Sequence, residues 1–192
     1  MRDFWDRQHQ DGSKSWLTFT PPNRVFEQHS LPPPTGKLIL DIGVGDGEFS
    51  RWCAELGNSV IACDISPVAL SKLVGIARTV LVEDIATTPP VDLAICHLVF
   101  QHCDDKAMSH ILHNVQLAKD GLFSMQTAHL DGEPSPSIQK MMGDGLLVFR
   151  SLDRAKQLVK DAGLSITWTS EEIPYTWQGC RIIWHIIHAQ RS

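Results

Sequence analysis

Residues 38–47 read Leu-Ile-Leu-Asp-Ile-Gly-Val-Gly-Asp-Gly. A short apolar run goes straight into three glycines at alternate positions. The run suits a buried strand, and the glycines let the backbone turn sharply and approach a ligand closely. Glu48–Leu56 follows with helical character and is stopped by Gly57-Asn58. A buried strand, a Gly-rich turn and a helix start form a unit of open α/β sheets. In such sheets ligands bind at the carboxyl ends of the strands, where this turn lies.

The pattern repeats downstream. Ser59–Asp64 reads as a second strand, and Ser66-Pro67 opens a helix to about Ala77, with Ser66 as N-cap and Pro67 at its first position. Thr79–Val82 and Val91–Cys96 are the third and fourth strands. A helix is expected from Asp104 or Asp105 to about Ala118, and a fifth strand over Gly121–Gln126. Residues 128–145 read as an inserted loop. Ser151 caps a helix over Leu152–Ala162 that ends at Gly163. Leu164–Thr169 and Arg181–His188 close the chain as two strands with no helix between them, which predicts an antiparallel hairpin. No internal repeat is visible. The alternation implies a mostly parallel sheet with helices on both faces.

Residues 1–36 differ from the rest. A short helix over Asp3–Gln10 is broken by Gly12 and Ser13, and Pro21-Pro22 and Pro32-Pro33-Pro34 follow. Prolines lack a backbone donor, so this stretch reads as an appendage to a single domain at 37–192. With 192 residues, 43% hydrophobic and 20% charged, the chain can bury one core without staples. No apolar run approaches 18 residues, and the charged N-terminus is no ordinary signal peptide. The net charge of −5 disfavours nonspecific nucleic-acid binding. Five cysteines without a CxxC pair are expected to be reduced thiols in a cytoplasmic protein.

The glycine spacing carries chemical information. A dinucleotide fingerprint, GxGxxG, would need a third glycine at 48; this chain has Glu48 there and Gly47 before it. Asp41, two residues ahead of Gly43, gains nothing beside a diphosphate but suits a cationic ligand. Asp64, ending the second strand, is placed to accept from a ribose diol. Asp84 after the third strand can accept from an adenine amine, with Ile65 and Ile85 sandwiching the ring. The expected ligand is a nucleoside that carries a positive group and no phosphates.

These residues resemble the class I S-adenosylmethionine-dependent methyltransferases of the small-molecule type. Leu38–Gly47 is similar to that family's first motif, Cys63–Ser66 to the acidic end of its second strand, and Glu83-Asp84-Ile85 to its third motif. Asp92–His102 looks like its fourth strand and the following turn. The resemblance covers about four-fifths of the chain and implies a Rossmann-like, seven-stranded sheet in the order 3-2-1-4-5-7-6, with strand 7 antiparallel. It implies S-adenosylmethionine as cofactor and S-adenosylhomocysteine as product. Gly43, Gly45 and Gly47 would approach the methionine moiety, and Asp41 its ammonium. Asp64 would hold the ribose, Asp84 and Ile85 the adenine, and His97 with Leu98 would lie near the sulfonium.

His97 and His102 flank the expected transfer site and are candidates for accepting a proton from the nucleophile. In-line alignment supplies much of the rate in this chemistry, so a base is not obligatory. Phe4, Trp5 and Trp16 resemble an aromatic cover over the acceptor; Tyr175 and Trp177 are further candidate pocket walls. No metal is expected: Cys96, His97, His102 and Cys103 fit no zinc spacing. His185 and His188, three apart on a strand, point to opposite faces and cannot act as a pair. Three rival readings remain. They are a nucleic-acid or protein methyltransferase of the same fold, a noncatalytic cofactor-binding protein, and a nicotinamide-dependent oxidoreductase.

Overall fold

The structure is a computed structural model and describes residues 1–11 and 21–191. Its strands follow the order β3-β2-β1-β4-β5-β8-β6, with β7 paired to β8 off this path. This is the expected 3-2-1-4-5-7-6 order with one extra strand, so the terminal strand is the eighth in the chain. The chain divides into two compact units, residues 1–95 with 115–121, and 96–114 with 122–192.

The first unit holds helices α1 (Arg2–Asp11) and α2 (Pro22–Gln28), strand β1 (Leu38–Ile42), helix α3 (Glu48–Glu55) and strand β2 (Ser59–Asp64). Helix α4 (Pro67–Ser71), strand β3 (Arg78–Leu81), a 3-10 turn at Val82–Thr87 and most of strand β4 (Val91–Cys96) complete it. Strands β1, β2 and β3 are parallel neighbours, with Leu40 opposite Ile61 and Ala62 opposite Thr79. Their aliphatic runs are buried, as strands covered on both faces require. Phe26 of α2 is fully buried against Phe49 and Trp52 of α3, tying the proline-flanked segment down.

Helix α4 starts as expected: Ser66 Oγ accepts the Ala69 N–H at 3.2 Å, and Pro67 is the first helical residue. It ends at Ser71, not near Ala77. Lys72 to Ala77 form tight turns, and Gly75 takes a left-handed φ of +84°. That path seats Leu73 in a core cluster with Val44, Ala62, Ala69 and Leu70.

The second unit contains helix α5 (Asp105–Asn114), most of strand β5 (Leu117–Asp131), helices α6 (Pro136–Gly143) and α7 (Leu152–Asp161), and strands β6 (Leu164–Thr169), β7 (Ile173–Trp177) and β8 (Cys180–Arg191). The long β8 runs antiparallel to β5, β6 and β7. The expected pairing of the two closing strands is present between β6 and β8.

Three sequence expectations are corrected here. The fifth strand, Leu117–Asp131, extends beyond Gly121–Gln126 in both directions, and past Gln126 it does so because β8 pairs with it residue by residue as far as Asp131. Its start is obscured locally by Asp120 at φ +64° and by Gly121, where a Cβ would sit 2.6 Å from the Val91 carbonyl. The stretch 128–145 is not a loop: it completes β5 and forms α6, whose Ile138 is buried with Leu147 and Cys180. Finally, β7 escaped the sequence reading because its residues are mostly exposed and Pro174 interrupts the pattern.

Candidate functional site

The turn between β1 and α3 has the geometry its glycines imply. Gly43, Gly45 and Gly47 all lie in the left-handed region, with φ of +79°, +55° and +76°. L-residues pay a steric penalty there that glycine avoids. Gly43 N–H donates to the Cys63 carbonyl at 2.7 Å, and Gly47 N–H to the Val44 carbonyl at 2.8 Å, closing the turn onto the end of β2. A Cβ at Gly45 would meet no atom within 4 Å, so its backbone is open to a ligand. A Cβ at Gly47 would lie 2.7 Å from Leu73, so that glycine also serves packing.

Two buried acids anchor this end of the sheet. Asp64 accepts the Ser66 N–H on Oδ1 at 2.9 Å and the Gly45 N–H on Oδ2 at 3.3 Å. One carboxylate therefore holds both the glycine turn and the start of α4. A carboxylate has about four acceptor positions, so Asp64 retains capacity to accept from a ribose hydroxyl. Burial pushes its pKa up, opposed by those backbone hydrogen bonds. Asp41 accepts the Ser50 hydroxyl at 2.6 Å. Its burial raises the pKa to about 7, against the pull of Ser50 and with a further push from Asp64.

The adenine contacts divide. Ile65 is half-buried at the end of β2, and Asp84 is exposed on the 3-10 turn. Ile85 is completely buried, and its carbonyl accepts from Thr88 N–H and Oγ1. An isoleucine with no exposed atom cannot wall an adenine, so the expected sandwich keeps only Ile65.

Helix α1 packs along α4, and sequence reasoning missed its anchoring residues. Arg2 donates from Nε to the Ile65 carbonyl at 3.0 Å and from one terminal nitrogen to both Glu83 carboxylate oxygens at 2.6 Å. Ser66 Oγ donates to Asp6. His9 lies close enough to Asp64 to feel its charge, although burial lowers its pKa overall. Phe4 and Trp5, half-buried, meet edge to face at 5.2 Å. The helix thus docks on the residues that follow β2 and β3. Trp16 lies outside the described residues.

His97 and Leu98 follow β4 directly. Leu98 has φ +57°, a strained conformation for a branched residue. Its N–H donates to Gln126 Oε1 at 3.3 Å, and its carbonyl accepts from Gln101 Nε2 at 2.7 Å. Such strain, held by two glutamines, marks a turn built to place backbone groups. Burial lowers the His97 pKa to about 4, so the ring is neutral at physiological pH. His102 lies on a short 3-10 turn; its Nδ1 is 2.7 Å from the Leu146 carbonyl. A carbonyl only accepts, so the proton sits on Nδ1 and Nε2 carries the lone pair. Burial lowers its pKa too, against that hydrogen bond.

Arg150 fixes this turn. Its side chain is buried and donates to the Phe100 carbonyl at 2.7 Å, the Cys103 carbonyl at 2.5 Å and Asp105 at 3.1 Å. A lone arginine after Leu-Val-Phe is the one sequence signal that could have revealed it. Trp177 packs onto the cluster of Ile138, Leu147 and Cys180, which gives it a packing role. Tyr175 is exposed on β7, 6.4 Å from the Trp184 ring.

Comparison with known proteins agrees with this geometry. Residues 39–119 match the family model described as a methyltransferase domain. No curated protein matches the sequence. Among solved structures, magnesium protoporphyrin IX methyltransferase from Synechocystis PCC 6803, with bound S-adenosylhomocysteine, is similar at 18% identity and a TM-score of 0.64, covering 100% of this chain and 98% of that one. The 1,6-didemethyltoxoflavin-N1-methyltransferase of Burkholderia thailandensis matches at 16% identity and TM-score 0.68, covering 100% and 87%. Phosphoethanolamine N-methyltransferase 2 of Haemonchus contortus matches at 18% and 0.71; the chain spans 59% of its length. The fold is therefore the Rossmann-like fold of the class I S-adenosylmethionine-dependent methyltransferases. Residues 39–119, which hold the glycine turn and Asp64, are the stretch similar to the methyltransferase-domain model.

Proposed function

We propose that this protein transfers a methyl group from S-adenosylmethionine to a small-molecule acceptor. The observation that carries the reading is the glycine turn itself. In that left-handed turn Gly45 presents open backbone beside Asp64, whose Oδ2 holds the turn and whose Oδ1 holds the start of α4. This donor set fits an adenosyl group. S-adenosylmethionine supplies, when bound, an electrophilic methyl carbon on a positively charged sulfur.

The chain's own residues have three tasks. Asp64 would hold the ribose and Ile65 the adenine, with Asp84 an exposed acceptor for its amine. Gly43, Gly45 and Gly47 would present backbone to the amino-acid end, and Asp41, which accepts the Ser50 hydroxyl, would act on the ammonium. The strained Leu98 turn would align backbone groups beside the reacting atoms, the effect that supplies most of the rate in a displacement of this kind. His97 and His102 are neutral, and their lowered basicity suits orientation and weak proton acceptance, not strong base catalysis.

Similar enzymes named above act on a porphyrin, a toxoflavin precursor and a phosphoethanolamine, which supports a small acceptor here. Phe4 and Trp5 on α1 are the proposed aromatic contacts for it. No helix among the described residues is long and apolar enough to cross a membrane. All five cysteines are free thiols. We place the protein in the cytoplasm on that chemistry.

Calorimetric titration with S-adenosylmethionine, S-adenosylhomocysteine and NADH tests the reading. Saturable binding of the first two without the third is expected, followed by methyl incorporation in an acceptor screen. A folded protein that binds neither adenosyl compound would overturn it.

A further inference from the structure

Three side chains of ligand type converge in the second unit, away from the glycine turn in sequence and with no role in the proposed transfer. One ring nitrogen each of His129 and His185 and one carboxylate oxygen of Glu172 lie within 4.8 Å of one another. Strand register produces this. Thr127 of β5 is opposite His185 of β8, and His129 is opposite Ile183. The two histidines are therefore diagonal neighbours on one face of an antiparallel pair, within reach of each other. Their rings stack at 5.4 Å with planes 15° apart.

Glu172 arrives from the other edge of β8. There the partner strand changes: Thr169 of β6 pairs with Ile187, and Ile173 of β7 pairs with Trp184. The three intervening residues arch past positions 185 and 186. Ser170 N–H donates to the Ile186 carbonyl at 3.0 Å, and Ile186 N–H donates to Ser170 Oγ at 3.0 Å. That arch carries Glu172 to the imidazole pair.

Packing does not account for the two rings. Nδ1 of His129 and Nδ1 of His185 are both buried with no hydrogen-bond partner among the described residues, and His185 is 4% exposed. Buried polar atoms are rarely left so, because desolvation is then uncompensated.

We propose that His129, His185 and Glu172 bind a divalent transition-metal ion of the Zn2+ class. Two imidazoles and a carboxylate are nitrogen and oxygen donors of the kind Zn2+ takes, whereas Ca2+ and Mg2+ prefer oxygen throughout. Three protein donors leave a coordination position for water or another ligand. Bonds near 2.1 Å place tetrahedral donors about 3.4 Å apart, so loading draws the three groups together. Glu172, exposed on the arch, has the freedom to make that movement. The sequence expectation of no metal looked at His97, His102 and their cysteines, and at His185 with His188. It missed a pair that forms only across strands.

The test uses the full chain without an affinity tag, stripped by a chelator and without adenosyl compounds. Zn2+ titration by calorimetry should give one site per chain. His129→Asn and His185→Asn should each weaken binding tenfold or more, and Glu172→Gln at least threefold. Co2+ should give visible absorption bands that His129→Asn abolishes. His110→Asn with His113→Asn on α5 should leave affinity unchanged, which separates this site from surface histidines. If His185→Asn fails to fold, Glu172→Gln at its exposed position carries the comparison. Absence of saturable binding would overturn the proposal. So would binding that survives both His129→Asn and Glu172→Gln, or binding lost with the α5 histidines.

Discussion

Replacing Gly47 with alanine should destabilise the fold for two separable reasons. Gly47 is the N-cap of α3 at φ +76°, and a Cβ there would lie 2.7 Å from Leu73 Cδ2 and 2.9 Å from its Cγ. The left-handed backbone costs about 1–2 kcal/mol for an L-residue. Forcing a methyl group into a packed cluster costs about 1–3 kcal/mol more. Gly47→Ala should therefore lose about 2–5 kcal/mol, a large share of the roughly 5–15 kcal/mol that holds a domain folded. Gly45→Ala has the same backbone problem at φ +55° but no atom within 4 Å, so only the cost of about 1–2 kcal/mol should appear. Leu73→Ala alone should cost about 2–5 kcal/mol through the cavity it leaves. In the double variant the new Cβ enters that cavity, so the combined loss should fall short of the sum by about 1–3 kcal/mol. Urea unfolding of the four proteins and the wild type measures all of these. A Gly47→Ala no worse than Gly45→Ala, or a strictly additive double variant, would refute the packing argument.

Asp64→Ala should weaken S-adenosylmethionine binding by about 1–3 kcal/mol, roughly 5- to 150-fold, through lost hydrogen bonds; unchanged affinity in a folded variant would remove its ribose assignment. Asp41 gives a pH signature: its folded pKa of about 7 lies above the ordinary carboxylate value. Its contribution is fully present below about pH 4 and is lost as pH rises toward 7, at up to about 1.4 kcal/mol per pH unit. Urea midpoints of wild type should therefore fall relative to Asp41→Asn across that range, and parallel profiles would contradict the burial argument. Arg150→Met should cost about 2–5 kcal/mol because the Phe100 and Cys103 carbonyls lose their donor. Thermal melts should show the drop, and a neutral substitution would mean that the turn after β4 does not depend on Arg150.

Residues 38–47 made β1 and the glycine turn legible on their own. An aliphatic run followed by alternate glycines has few local conformations, and all three glycines adopt the left-handed backbone that only they take cheaply. Asp64 was legible for a similar reason, since an acid at the end of a buried strand occupies a position set by the strand itself. The Ser66 and Ser151 caps followed from short-range chemistry and are both present. Tertiary structure decided what depended on distant partners. The length of β5 beyond Gln126 and the existence of β7 come from pairing with β8, which no local periodicity records. Arg150 acquires its role from carbonyls nearly fifty residues earlier in the chain, and Ile85 loses its expected one because the 3-10 turn points it into the core. His185 shows the division most plainly. Period-two geometry along β8 separates it from His188, as the sequence implies. Its real neighbour, His129, stands on another strand, and only the register between strands could bring the two rings together.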